Sequence, residues 1–238
     1  MLDAEAWANL ALLGSCYGYI LIVIFVTGKI GRGLSRNSSR KFLHIMIGNL
    51  PFLIPFFSYN TFPLNFPFFV AAPFVFVTFL VSPYSPVKSL SRKIPELTEV
   101  TKGGHQLGLV FYAISYTVLA WFFSAKPYVI AAGILPMAYG DAAASLVGEK
   151  FGKRHFRILA KKSVEGSIAM FAVSFVSFEV SLLFFSAFYP LSLFSSVITA
   201  LAVAAVATVA EALTPRGFDN ITVPFLSALL FLLLKGWA

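Results

Sequence analysis

Long apolar runs separated by short polar segments dominate the sequence. Eight runs approach or exceed the length of about 20 mostly apolar residues that a membrane-spanning helix needs. They cover residues 6–27, 42–58, 64–82, 105–124, 127–147, 165–188, 191–213 and 220–236. The second run contains Pro51 and Pro55, so we expect it to be kinked or to span incompletely. The pattern predicts an all-α integral membrane protein, a bundle of about eight transmembrane helices forming one domain over residues 1–238.

The composition excludes a soluble domain. Hydrophobic residues make up 58% of the chain and charged residues 12%, whereas a soluble domain carries about 25% charged residues. So few charges would leave large exposed apolar patches on a globule in water. The single cysteine, Cys16, excludes a disulfide framework and a cysteine-based zinc site. A metal site in this chain would therefore rely on oxygen ligands.

Basic residues alternate along the chain in a way that predicts topology. Sixteen of the 18 Lys and Arg residues lie in the segments 28–41, 83–104, 148–164 and 214–219. Because basic residues favour the cytoplasmic side, these segments are the predicted cytoplasmic loops, and both termini lie outside. Most of these charges fit topology and contact with lipid headgroups. Since the chain has no soluble domain to carry it, we expect no nucleic-acid partner.

Acidic residues within the apolar runs point to function. Asp141, Glu165 and Glu211 lie inside or at the edge of these runs, and a charge at a helix centre costs on the order of 2.5–3.5 kcal/mol on insertion scales. Asp141 follows Gly140, and Pro136 lies about one turn earlier in the same run. These carboxylates all fall on the predicted cytoplasmic side, so we expect a site there.

Each of these signals has a structural alternative. His44 could be an interfacial side chain, and Glu165 could be a helix-start carboxylate favoured by the helix dipole. The Gly104–Gly108 and Gly14–Gly18 pairs could serve helix packing. Glu179, deep in the sixth run, has no functional assignment.

Carboxylates, lysines and glycine-rich turns on one side of the membrane suit a polyphosphate with a divalent cation. Carboxylates hold Mg²⁺, lysines neutralise phosphate oxygens, and glycine turns present backbone N–H groups. The sequence contains neither the GxxxxGK[ST] P-loop nor the kinase GxGxxG motif. A soluble nucleotide-binding fold is therefore not what would hold the phosphates.

Five motifs in order carry a family resemblance. They are RKFLH (40–44), KGG (102–104), GDAAASLVGEKFGKR (140–154), KKSVEGSIA (161–169) and PRGFDNITVP (215–224). Together they resemble the family of dolichol kinases, phytol kinases and yeast-type diacylglycerol kinases, which is distantly similar to the phosphatidate cytidylyltransferases. The resemblance implies a membrane enzyme that phosphorylates a lipid alcohol, generally from CTP with Mg²⁺.

We assign the predicted site residues by their chemistry. Candidates for catalysis are Asp141, Lys161, Lys162, Glu165 and Asp219. Candidates for Mg²⁺ are Asp141, Glu211 and Asp219. Candidates for nucleotide binding are Lys102, Gly103, Gly104, His105, Gly140, Gly148, Lys153, Ser163, Gly166, Arg216 and Asn220. The first motif adds Arg40, Lys41 and His44. The general base is Asp141, Asp219 or Glu165, and the sequence does not choose among them.

The resulting prediction is a CTP-dependent kinase of a polyprenol or dolichol in the cell membrane, with its active site on the cytoplasmic side. Phytol, geranylgeraniol and diacylglycerol stay open as substrates, because apolar grooves discriminate weakly per methylene. A lipid cytidylyltransferase is the nearest rival and would release pyrophosphate instead of CDP. A transporter is the non-enzyme rival, but the sequence shows no inverted halves and its polar residues lie off-centre.

Overall fold

The computed structural model describes residues 3–30, 36–87, 107–215 and 217–235. The chain divides into two compact units, Met1–Pro127 and Tyr128–Ala238. The single membrane domain over residues 1–238 stays a prediction. Helices dominate both units, which confirms the all-α class. One two-stranded antiparallel sheet is added in the second unit.

The described residues of the first unit form helices. It contains α1 (Ala4–Ile30), α2 (Arg36–Ile47), a 3₁₀ helix (Leu50–Phe56), α3 (Phe66–Val81) and α4 (Gly108–Phe123). Helix α3 packs on α4, and α1 contacts α2 and α3. Asn65 caps α3 by accepting the Phe68 N–H at 2.9 Å and donates to the Ala120 carbonyl at 3.1 Å. One side chain thereby joins the start of α3 to the end of α4.

The second unit is organised around a buried central rod. The rod consists of α5 (Pro127–Leu135), a π-helical turn (Pro136–Gly140) and α6 (Asp141–Phe151). It is followed by strands β1 (His155–Arg157) and β2 (Lys161–Ser163), then α7 (Val164–Phe185), α8 (Leu193–Leu213) and α9 (Asp219–Lys235). Helices α7, α8 and α9 pack around the π-helical turn. In the most apolar stretch of the rod, 78% of the residues are therefore buried, against 33% in the corresponding stretch of α7.

Four helices in the described part of the chain are long and apolar enough to cross a membrane. They are Ala4–Ile30, Pro127–Phe151, Val164–Phe185 and Ser196–Leu213. The third and fourth predicted spans form α3 and α4, each of 16 residues, or about 24 Å against a hydrocarbon core of about 30 Å. The second is α2 followed by the 3₁₀ helix, because Pro51 and Pro55 lack the N–H that a regular helix needs. The prediction of eight spanning helices is thus not confirmed.

Large apolar side chains point outward from both units. Phe76 on α3 is 72% exposed and Leu233 on α9 is 69% exposed. Such faces would aggregate in water and are stable in lipid, in agreement with a membrane protein. The Gly14–Gly18 pair also lies on an open face, because a Cβ on either residue would meet nothing within 4 Å. The packing role considered for this pair is therefore not found within the described residues.

The predicted loop 148–164 is more ordered than expected, because β1 and β2 form a hairpin there. Its register pairs His155 with Ser163 and Arg157 with Lys161. The Ser163 side chain then caps α7 by accepting the Gly166 N–H at 3.1 Å, as serine commonly does at a helix start. The hairpin consequently leads directly into α7.

Candidate active site

The π-helical turn positions Asp141 inside the second unit. The Asp141 N–H donates to the Pro136 carbonyl, five residues earlier. Pro136 has no N–H to donate, so the regular helical ladder is already interrupted at this point. Asp141 begins α6 and is only 6% exposed. Single π-helical turns within α-helices often occur at functional sites, and this one lies immediately before the acid that the sequence singled out.

Lys162 and Glu211 form an ion pair in the same unit. Lys162 lies on β2 and Glu211 near the end of α8, where it is 3% exposed. The charges of Asp141 and Asp219 also act on Glu211. The structure therefore brings together four residues predicted for catalysis or metal binding. We call Asp141, Lys162, Glu211 and Asp219 the acidic cluster.

The turn between α8 and α9 holds Asp219 in place. The Gly217 and Asn220 N–H groups donate to Asp219 Oδ1 at 3.1 and 3.0 Å. Gly217 has a φ of 93°, a left-handed conformation that glycine adopts without steric cost. The hydroxyls of Thr214 and Thr222 lie 2.9 Å apart and close the turn. Asp219 therefore stabilises this turn, in addition to any role in chemistry.

The predicted nucleotide-binding glycines contact protein. A Cβ on Gly166 would lie 2.8 Å from the Ala144 carbonyl and 2.9 Å from Ser163 Oγ. A Cβ on Gly148 would also lie 2.9 Å from Ser163 Oγ, and one on Gly140 would lie 2.8 Å from Met170 Sδ. In this structure the glycines allow α7 to approach the central rod closely. Nucleotide binding by Gly140, Gly148, Ser163 and Gly166 stays a prediction.

Glu165 connects the hairpin with α7. Its two carboxylate oxygens each lie 3.3 Å from the Arg154 N–H, which donates to them. Lys153 and Lys161 are exposed on the hairpin, so Lys161 differs from the adjacent Lys162, which is paired. Of the two lysines predicted together, the structure places only Lys162 in the acidic cluster.

The residues of the first motif lie in the first unit, on α2. Lys41 and His44 are both buried, His44 to 1% exposure. The His44 ring stacks on Tyr112 of α4, with centroids 4.8 Å apart and planes 6° apart. The Tyr112 hydroxyl donates to the His44 carbonyl at 3.2 Å. His44 is therefore not the interfacial side chain that the sequence left open.

Two partners were missed by the sequence analysis, which did not include them among the site residues. Tyr112 lies 68 residues from His44 in an apolar run, where nothing marks one aromatic residue from another. Thr222 lies eight residues from Thr214, and that spacing alone identifies no turn. Five predicted nucleotide-binding residues lie outside the described residues, namely Lys102, Gly103, Gly104, His105 and Arg216.

The acidic cluster fits Mg²⁺ in its donor chemistry. Mg²⁺ is commonly held by one or two carboxylates together with substrate phosphates and water. Asp141 and Glu211 offer buried carboxylate oxygens of that kind. Among the described residues, no group of three or more His, Cys, Asp or Glu side chains is arranged to hold a metal ion. Binding of Mg²⁺ by Asp141, Glu211 and Asp219 therefore stays a prediction.

The chain is similar to phytol kinase 1, chloroplastic, from Arabidopsis thaliana, over nearly its whole length. The identity is 30% over 239 residues, which cover 98% of the chain and 77% of that relative. The chain belongs to the phytol kinase family. Members of this family also include the phytol kinase of Synechocystis, which is 37% identical over 145 residues. That match covers 59% of the chain and 60%, less than two thirds, of the Synechocystis relative.

Comparison with models of protein families gives no match. No solved structure matches the chain either. The family assignment therefore rests on the two phytol kinases.

Proposed function

We propose that this chain is a lipid-alcohol kinase that transfers the γ-phosphoryl group of CTP to an isoprenoid alcohol. Membership of the phytol kinase family, over 98% of the chain, carries the proposal. Because both relatives are named for phytol, phytol stands beside polyprenol and dolichol as the acceptor. CTP as the donor follows from the resemblance of the five motifs.

The acidic cluster supplies groups for this chemistry. The hydroxyl oxygen of the alcohol attacks the γ-phosphorus, the bond from that phosphorus to the bridging oxygen breaks, and CDP leaves. Asp141 and Glu211 would hold Mg²⁺, which when bound would neutralise negative charge on the phosphates. Lys162, paired with Glu211, would contribute a further positive charge. Lys161 and Lys153 are exposed nearby in sequence and would attract the nucleotide.

The proton of the alcohol must pass to a base. Glu165 is the weaker candidate, because both of its oxygens accept the Arg154 N–H. We assign the proton to Asp219, whose carboxylate is oriented by two backbone donors on one oxygen. Asp141 is then assigned to Mg²⁺ binding and not to proton transfer.

We further propose that the chain crosses the membrane eight times, with both termini outside and the hairpin in the cytoplasm. The distribution of basic residues supports this topology. Exposed cations on the hairpin and its flanks, including Lys153, Arg154, Arg157 and Lys161, agree with an aqueous or headgroup environment there.

The test uses the purified protein with Mg²⁺ and CTP or ATP labelled at the γ-phosphate. The acceptors are phytol, geranylgeraniol, dolichol and diacylglycerol. We expect a labelled lipid phosphate and CDP. Release of pyrophosphate with a nucleotide-linked lipid would indicate a cytidylyltransferase. Lipid efflux from sealed vesicles without nucleotide turnover would indicate a transporter.

A further inference from the structure

The first unit contains an apolar cavity between α1, α2, α3 and α4. It is partly open, and its volume counted together with the open part is about 580 Å³. Ile20, Ile47, Phe74 and Leu109 each contribute to its wall, one from each helix. The surface that faces the cavity is entirely apolar. Such a space favours a hydrocarbon group over water or a phosphate, which would lose hydrogen bonds there.

Two polar side chains in the wall form hydrogen bonds with backbone carbonyl groups. The Thr78 hydroxyl donates to the Phe74 carbonyl at 2.6 Å. The Tyr112 hydroxyl donates to the His44 carbonyl at 3.2 Å. Both residues line the cavity, yet their hydrogen bonds are made with main-chain oxygens. The wall therefore offers contact area rather than polar recognition.

One side of the cavity adjoins buried polar residues. Helix α2 contributes Leu43 and Ile47 to the wall and also carries the buried Lys41 and His44. Tyr112 belongs to the wall and stacks on the His44 ring. An apolar cavity with a buried imidazole behind one wall residue matches a ligand with a long apolar chain and one polar end.

We propose that this cavity binds the hydrocarbon chain of the isoprenoid alcohol. The inference rests on the proposed function, because it takes the acceptor of that reaction as its ligand. Ala71 and Ala113 line the cavity and are the smallest side chains of its wall. Their size sets the width available to the chain of the alcohol.

Narrowing the cavity gives the first test. Ala71→Leu and Ala113→Leu should each raise the KM for phytol about tenfold. The KM for CTP should not change, and a five-carbon prenol should be phosphorylated as by the wild type. Ala72→Leu is the matched control, because Ala72 follows Ala71 on α3, lies outside the cavity wall and is partly exposed. An unchanged KM for phytol in both folded variants would overturn the proposal.

Photolabelling of the wild-type protein gives a second test that needs no variant and no turnover. The probe is a C20 isoprenoid alcohol with a diazirine at the end far from the hydroxyl. It should label peptides of α3 and α4, and excess phytol should abolish the label. Labelling at these peptides without phosphorylation of any alcohol would support the cavity and contradict the proposed kinase. Phosphorylation of phytol with labelling confined to other helices would support the proposed kinase and overturn the cavity proposal. A label displaced equally by phosphatidylcholine would assign the cavity to a bilayer lipid and overturn the proposal.

Discussion

The ammonium group of Lys162 pairs with the carboxylate of Glu211 and joins the hairpin to the end of α8. Asp141 and Asp219 act on the same carboxylate. The pair therefore lies within the electrostatic influence of two further acidic residues. Removing one partner of a buried pair leaves an uncompensated charge, which is strongly destabilising.

Lys162→Met should lower the free energy of unfolding by about 3 kcal/mol, because Glu211 would stay buried without its cation. Chemical unfolding in detergent measures the change. Lys161→Met is the matched control, since Lys161 is adjacent and exposed, and its effect should stay below about 0.5 kcal/mol. Adding Glu211→Gln to Lys162→Met should recover part of the loss. Equal effects of the two lysine variants would contradict the buried pair.

Asp141→Asn should reduce phosphoryl transfer by a factor of about 100 or more and leave the fold intact. Asparagine keeps the size and one carbonyl oxygen but loses the negative charge that Mg²⁺ prefers, and losing one transition-state contact costs about 100- to 1,000-fold. CTP-dependent phosphorylation across a Mg²⁺ titration, with thermal unfolding of the same sample, measures both. Glu149→Gln, an exposed acid on the same helix, is the control. Near wild-type turnover of a stable Asp141→Asn protein would remove the cation role.

Gly166→Ala should destabilise the protein by about 1–3 kcal/mol, because its Cβ would lie 2.8 Å from the Ala144 carbonyl and overpacking carries a cost of that size. Gly18→Ala should instead be neutral or stabilising, by up to about 1 kcal/mol, since its Cβ meets nothing within 4 Å and alanine favours the helix. Thermal unfolding of both variants in detergent tests the contrast. The prediction fails where Gly18→Ala is the more harmful change.

The two ends of α7 should be reachable from opposite sides of the membrane. In a Cys16→Ser background, Arg157→Cys should react with an impermeant thiol reagent only from the cytoplasmic side. Ala187→Cys, exposed just beyond the other end of α7, should react only from outside. Sealed vesicles of known orientation provide the measurement. Reaction of both cysteines from one side would contradict the crossing of α7.

Local signals in the sequence predicted several elements well. The helix predicted over 165–188 is α7, which spans Val164–Phe185 and begins after the Ser163 cap. Asp141 was singled out from its cost in an apolar run and is buried in the structure, while its role in the site stays a prediction. The helix prediction succeeded because short stretches of sequence carry hydrophobic length and helix-start chemistry.

The features that the sequence did not predict involve tertiary contacts. Nothing in KKS distinguishes the exposed Lys161 from the paired Lys162, because the partner Glu211 lies 49 residues away. Nucleotide binding by the glycines of GDAAASLVGEKFG stays a prediction, and their contact with a neighbouring helix was not foreseen, because a glycine that accommodates a helix has the same local pattern. The strands HFR and KKS lack an apolar alternation, so their pairing was not predicted.

The π-helical turn before Asp141 lets the central rod accommodate one residue more than a regular helix would hold in the same turn. Its hydrogen bond closes over five residues instead of four, so the helix segments on either side keep nearly the angular phase of an uninterrupted α-helix. Deleting one of residues 136–140 would therefore convert the stretch to a regular helix and leave the face that α6 presents largely unchanged. A deletion within α5 or α6 would instead rotate all that follows by about 100° about the rod axis. The rod should therefore tolerate a change of length at this turn better than in its regular helical parts.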